Sequence, residues 1–313
     1  MAEQYDIAFL GGGPAGYQGA VRAAQLGAKV AVVEERFLGG VCLNWGCIPT
    51  KTVRASAEAA RTMRRAREFG FQPVEAIADI QAIIARKERV VSGLRASIGR
   101  LFQAHRIALV EGRGRLIAAD KIEVEQDGRL DLVQAAKMVI ATGSRPARLP
   151  LFPLNPRIFL ADEILAIDYL PKHLLVVGGG AVGVEMAAIF RELGSQVTLV
   201  ELLDRLLPYD DAEMAEYLAG VLKRRKVAVK CGVQVCEVQE EAGILTGRLD
   251  DRSDLTPDTI LLATGRRFNT EGLGLEDLGG EMDKGRILVN EHMMTNVPGV
   301  YAAGDVVGGW LLA

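Results

Sequence analysis

The sequence predicts a two-domain α/β protein, each domain a parallel sheet between layers of helix, and three observations predict it. The chain has 313 residues, which at roughly 150 residues per domain is enough for two. A unit of short apolar strand, glycine turn, small-residue helix and second strand occurs twice. Glycine is in excess, 35 residues or about 11% against a usual ~7%, and gathers at such turns. That excess needs a backbone reason, a tight turn or a close approach to a ligand.

The remaining composition bounds the function. A hydrophobic fraction of 49% with 25% charged residues is that of an ordinary globular chain. The glycines are clustered and aperiodic, which excludes collagen and disorder. A net charge of −3 gives no sign of a nucleic-acid partner. The basic runs at 61–67 and 223–226 read as solvated helix faces. The longest apolar stretch, 174–190, is broken by three consecutive glycines and by Glu185. It falls short of the ~20 residues that span a bilayer. The first strand is expected within about five residues of Met1, so no targeting segment is expected. Four cysteines are too few for a disulfide-scaffolded secreted protein. A cytoplasmic location is expected, where a cysteine pair is more readily catalytic than structural.

The two copies align at a constant offset. Gly11, Gly13 and Gly16 fall on Gly178, Gly180 and Gly183, and Leu26, Gly27, Val30 and Glu34 on Leu193, Gly194, Val197 and Glu201. In each, a strand (7–10 or 174–177) enters the turn and a second strand ends in the acid. This is the Rossmann-type dinucleotide-binding pattern, with its acid about 20 positions on. The first glycine permits the turn, the second admits a pyrophosphate, and the third lets helix and strand pack closely. The helix N-terminus offers N–H groups and a positive dipole end to the phosphates. The carboxylate accepts ribose hydroxyls. Two dinucleotides are therefore implied. Glu201 favours NAD over NADP, because a 2′-phosphate would meet a carboxylate and no Arg follows in Leu202 or Leu203.

A cysteine pair follows the first copy. Residues 39–51 read GGVCLNWGCIPTK, with Cys42 and Cys47 four residues apart and Pro49 in the opening turn of a helix through 55–63. A thiolate at a helix N-terminus is stabilised, which makes Cys47 the candidate low-pKa sulfur. Lys51 lies one turn along the same face, where its charge helps. The alternatives are a zinc half-site, which would need two more ligands where no His or Cys lies within fifty residues, and two unrelated cysteines. Cys231 and Cys236 have the same spacing, so spacing alone decides nothing. They fall in an alternating β pattern over 227–238, where residues five apart face opposite sides. They read as structural.

Residues 39–51 strongly resemble the redox-active segment of the group I pyridine nucleotide–disulfide oxidoreductases, with most similarity to the dihydrolipoamide dehydrogenases. The resemblance covers nearly the whole chain. Ala141, Thr142, Gly143 and Ser144, and again Ala263, Thr264, Gly265 and Arg266, are similar to that family's two ATG turns. Residues 295–305 resemble its final flavin-contacting segment. The resemblance implies that Gly11, Gly13, Gly16 and Glu34 hold the ADP half of FAD, with Gly114, Thr142, Gly143, Ser144 and Ala313 adding contacts. It implies that Asp305 binds the ribitol chain and that Lys51 lies beside the flavin. Cys47 would be the charge-transfer thiolate and Cys42 the interchange thiol. Gly178, Gly180, Ala181, Val182, Gly183, Glu201, Val235 and Gly265 would form the NAD site. Glu185 would lie near the nicotinamide ribose and pair with Lys51, since a carboxylate in an apolar helix needs a partner. The implied partners are dihydrolipoamide or a similar small dithiol, a lipoyl-domain protein carrying it, and a second copy in a homodimer.

The expected organisation is an FAD-binding domain at 1–150, an inserted NAD-binding domain at 151–275, and a return at 276–313. A helical excursion at 52–105 is assigned to the first, and the Pro-rich segment 145–156 links the two. Family members continue past the position of Ala313 into an interface domain that supplies a His–Glu acid/base pair. The tail 306–313 is too short for a stable helix. His105, His173 and His292 match no such motif and read as surface residues, and Phe268 stands where a proline is common. Electron transfer from a dithiol through Cys42–Cys47 and flavin to NAD is thus expected in impaired form. The alternatives are another disulfide or mercuric reductase-like flavoenzyme, and a non-catalytic FAD/NAD-binding fragment with diaphorase activity.

Overall fold

The structure is a computed structural model that describes residues 4–72 and 74–311. The chain divides into two compact units, one of Met1–Cys47, Val91–Arg145 and Arg267–Ala313, the other of Ile48–Val90 and Pro146–Arg266.

In the first unit, parallel strands run in the order Ala108–Glu111, Val30–Glu34, Gln4–Leu10 and Arg129–Ile140, with Val300–Ala302 also parallel to the last. The early part of Arg129–Ile140 pairs antiparallel with Lys121–Gln126, which pairs with Arg113–Ala118. The central strands carry Ala8, Leu10, Ala31, Val33 and Ile140, all buried. Burial on both faces explains why these strands read as continuous apolar runs. Helix Pro14–Gln25 makes the crossover, opening on a proline in its first turn.

The second unit repeats this plan. Its parallel strands follow the order Val227–Cys231, Gln196–Glu201, His173–Val177, Thr259–Leu262 and Ile158–Leu160. A separate antiparallel sheet comprises Val235–Glu241, Ile244–Leu249 and Asp254–Leu255. The repeat holds in register: Ile7 pairs Val30 in one unit and Leu174 pairs Val197 in the other.

Of the helical excursion expected at 52–105, the part up to Val90 groups with the second unit and the rest with the first. The reason is packing: Val53, Ala57 and Ile80 share one buried cluster with Met186, Ala187 and Phe190. The β pattern over 227–238 is not one strand. Gly232, at φ 68°, turns the chain, so Cys231 and Cys236 belong to different sheets. Among the described residues no helix is long and apolar enough to cross a membrane.

Candidate functional site

Two phosphate cradles are built alike. Gly11 and Gly178 both take φ 110° at the end of the first strand, and each N–H donates 2.8 Å to the carbonyl of Val33 or Val200. A Cβ on either would lie 2.3 Å from the carbonyl oxygen of Ala141 or Ala263. At Gly16 and Gly183 a Cβ would meet the Gly11 or Gly178 carbonyl oxygen at 1.8 or 1.9 Å. The protein's own backbone thus requires four of the six glycines. It does not require the other two. Gly13 and Gly180 have φ −69° and −70°, ordinary for any residue. Among the described residues the nearest atom to a Cβ at Gly13 is Gly40 Cα at 3.8 Å, and none lies within 4 Å of one at Gly180. Among the described residues no side-chain hydrogen bond caps either helix that starts there, and the first N–H groups of a helix have no partner within it. Bare N–H groups above a cleared surface fit a pyrophosphate.

The acids are fixed in the same way. Glu34 Oε2 accepts from the Gly12 N–H at 2.7 Å and its Oε1 from the Arg36 N–H at 2.8 Å. Glu201 Oε2 accepts from the Gly179 N–H at 2.5 Å and its Oε1 from the Leu203 N–H at 2.8 Å. Each carboxylate is held to the glycine turn, and each oxygen keeps a lone pair for a ribose hydroxyl. Glu201 also faces Cys231 across the register. Burial pushes the Cys231 thiol up, and the Glu201 charge adds to it.

In the first unit the ATG turn is tied to later segments. Thr142 Oγ1 donates to the Asn269 carbonyl at 2.7 Å, and Asn269 Nδ2 donates back to the Thr142 carbonyl at 2.9 Å. Ser144, almost fully buried, donates from Oγ to Asp305 Oδ2 at 2.5 Å. Gly143 has φ 70° and Gly265 in the second turn φ 108°. A Cβ at Gly114 would lie 2.4 Å from Leu10 Cδ1, so this glycine lets the antiparallel strands settle on the parallel ones. Val235 is buried at the start of its strand. Ala313 lies outside the described residues.

The cysteine segment packs on the first cradle. Gly40, at φ 56°, opens helix Gly40–Asn44, and a Cβ there would lie 2.6 Å from Gly13 Cα. Half-buried Cys42 sits mid-helix. The chain then doubles back: Trp45 and Gly46 both donate to the Val41 carbonyl, at 2.9 and 2.7 Å. A Cβ at Gly46 would lie 3.3 Å from Cys42 Cα. Cys47, exposed, opens helix Cys47–Arg64, with Pro49 in its first turn as expected.

A stack beside the cysteines was not legible from motifs. Buried Asn44 donates to the carbonyls of Leu38 and Gly40, at 3.1 and 2.9 Å, and its Oδ1 accepts from Arg95 Nε at 2.9 Å. The Arg95 guanidinium lies 3.9 Å from the Phe37 ring, and that of Arg36 lies 4.0 Å from Trp45. The available signal was two aromatics clustered around the cysteines in a chain with 5% aromatics.

In the second unit, Lys51 Nζ donates to Glu185 Oε1 at 2.6 Å. The expected pair therefore forms, though less buried than an apolar helix suggests, with side chains 56% and 27% exposed. His173 Nε2 lies 3.0 Å from Thr198 Oγ1 at a strand start, and His292 is exposed.

The profile of the pyridine nucleotide-disulphide oxidoreductase family matches residues 5–313. A dihydrolipoyl dehydrogenase of Rhizobium etli is 36% identical over 335 aligned residues, covering 100% of this chain and 69% of its own length. One from Acholeplasma laidlawii is 37% identical, with 100% and 93% covered. Among solved structures, LpdA from Mycobacterium tuberculosis superposes with TM-score 0.90 at 31% identity, over 97% of this chain and 68% of its own. The copper(II) complex of RclA, a hypochlorous-acid-induced flavoprotein disulfide reductase of Escherichia coli, gives 0.88 at 28% identity, over 99% and 68%.

Proposed function

Because the chain belongs to the pyridine nucleotide-disulphide oxidoreductase family, whose cofactors are FAD and NAD, we propose that it moves electrons between a small dithiol and NAD as a dihydrolipoyl dehydrogenase-type enzyme. One observation carries the reading: the Cys42–Cys47 turn is seated, through Gly40, against the Gly13 cradle. Gly11, Gly13, Gly16, Glu34, Thr142, Ser144 and Asp305 would hold FAD. Gly178, Gly180, Gly183 and Glu201 would hold NAD.

The chain's own residues perform the sulfur chemistry. With the pair oxidised, a substrate thiolate attacks Cys42 Sγ, the bond to Cys47 breaks, and Cys47 leaves as thiolate. The second substrate thiolate then displaces Cys42, closing the substrate disulfide. Two electrons pass to the cysteine pair, and the two substrate protons go to Cys42 and to solvent. Lys51, held by Glu185, sits one helical turn beyond Cys47. Bound FAD supplies the route by which the electron pair leaves the cysteines for NAD.

The test compares dihydrolipoamide-to-NAD and NADH-to-dye rates on one FAD-saturated preparation, with the absorbance of the half-reduced protein recorded. A long-wavelength thiolate–flavin band and measurable dithiol oxidation support the reading. Dye reduction with neither would leave only a diaphorase. The copper-bound RclA neighbour favours a second reading, reduction of a thiophilic metal ion at the same pair. NADH oxidation that depends on copper(II) and ignores lipoamide would select it.

A further inference from the structure

The two basic runs, 61–67 and 223–226, are distant in sequence, and the fold brings them to one carboxylate. Arg61 Nε and Arg225 Nη1 each lie 3.8 Å from Glu192 Oε1, and Arg64 Nη2 donates 2.9 Å to its Oε2. Arg64 also donates to the Glu192 carbonyl at 2.6 Å. Three guanidinium groups on one carboxylate leave uncompensated positive charge. Arg65, Arg67, Lys223, Arg224 and Lys226 flank them in sequence, with Glu68 bonded to Arg65.

A mostly apolar groove of about 330 Å³ opens beside this cluster, lined by Ala60, Met63, Ile77, Ile83 and Leu193 and carrying one charge of each sign, Asp79, which accepts from the Ala82 N–H, and Arg86, which donates to the Thr52 carbonyl. Cluster and groove interleave: Met63 falls between Arg61 and Arg64, and Leu193 follows Glu192. Met63 and Ile77, both in the groove lining, are exposed, and large apolar side chains left open in one groove mark an interaction site.

We propose that this groove and its arginine rim dock an acidic amphipathic helix of a partner protein. Apolar side chains at i, i+3/i+4 and i+7 fill such a groove. Carboxylates beside them meet the guanidinium forks, for which Arg is better shaped than Lys. A concave apolar floor takes inserted side chains and not a flat headgroup surface.

The test uses the full FAD-saturated chain and a fluorescent peptide of about five helical turns, with Leu on one face and Glu on the rest. Anisotropy should show saturable binding that weakens with salt and falls about tenfold or more in Ile77→Asp and in Arg67→Glu. Both sites are exposed, and NADH-to-dye rates should be unchanged in both variants. No saturation at millimolar peptide overturns the proposal. So does equal binding of a peptide with Ser in place of Leu, or tighter binding of oligothymidylate or of anionic phosphatidylglycerol vesicles.

Discussion

Cys42 and Cys47 differ in what surrounds them, and the difference separates their roles. Cys42 is half-buried in a helix of five residues, whereas Cys47 stands exposed at the start of an eighteen-residue helix. Cys47→Ser should therefore abolish any thiolate–flavin absorbance, whereas Cys42→Ser should leave an unpaired Cys47 thiolate and strengthen the band. Identical spectra for both variants and the parent would remove the redox assignment. At the second site, Glu201→Gln removes the charge that would repel a 2′-phosphate. NADPH should then gain on NADH by about tenfold or more. The same change relieves Cys231, whose thiol is raised first by burial and then by this carboxylate. Below its pKa the thiolate fraction should rise, so iodoacetamide should label Cys231 faster in the variant. An unchanged labelling rate would show that burial alone sets its reactivity.

The elements that position these residues were unequally legible. The βαβ units were plain because apolar strands, glycine turns and acids recur at one offset, and the ladder registers repeat with them. The 227–238 segment was not, since alternation continues through Gly232 and period alone does not report a turn at positive φ. Membership of 48–90 was hidden too, because an amphipathic helix declares an apolar face but not its partner. The Asn44–Arg95 bond joins positions 51 apart, beyond any local pattern. Its energetic consequence is specific. Arg95→Ala leaves the buried Asn44 Oδ1 without this donor, which costs about 1–3 kcal/mol. The melting temperature should fall, and the oxidised cysteine pair should become more easily reduced as its helix loosens. A variant with unchanged melting and unchanged reduction by dithiothreitol would show that water replaces the guanidinium.

For the molecule as a whole, the repeated cradle implies a division of labour between two nucleotide sites, and two glycines allow it to be tested without disturbing the fold. Of the three glycines in each copy, the first and third are held by backbone clashes of about 2 Å. The motif assigns the first to the turn and the third to helix–strand packing, and these clashes are the physical form of both roles. The structure shows Gly13 and Gly180 at φ values open to any residue, with room for a methyl group. On the proposed function, a side chain there would meet the ligand. Gly13→Ala should leave the stability of the ligand-free chain within about 1 kcal/mol, as a small loss of chain entropy on folding offsets a weaker cap. It should raise the FAD dissociation constant about tenfold or more while NADH binding is retained. Gly180→Ala should do the reverse, keeping flavin content while weakening NADH. Gly16→Ala is the contrasting control, since its methyl group would press on the Gly11 carbonyl and unfold the first turn with or without ligand. Flavin content, NADH titration and melting of the ligand-free proteins together decide the matter. If Gly13→Ala and Gly180→Ala weaken the same ligand, the two cradles do not divide the nucleotides, and the assignment of FAD to one and NAD to the other fails.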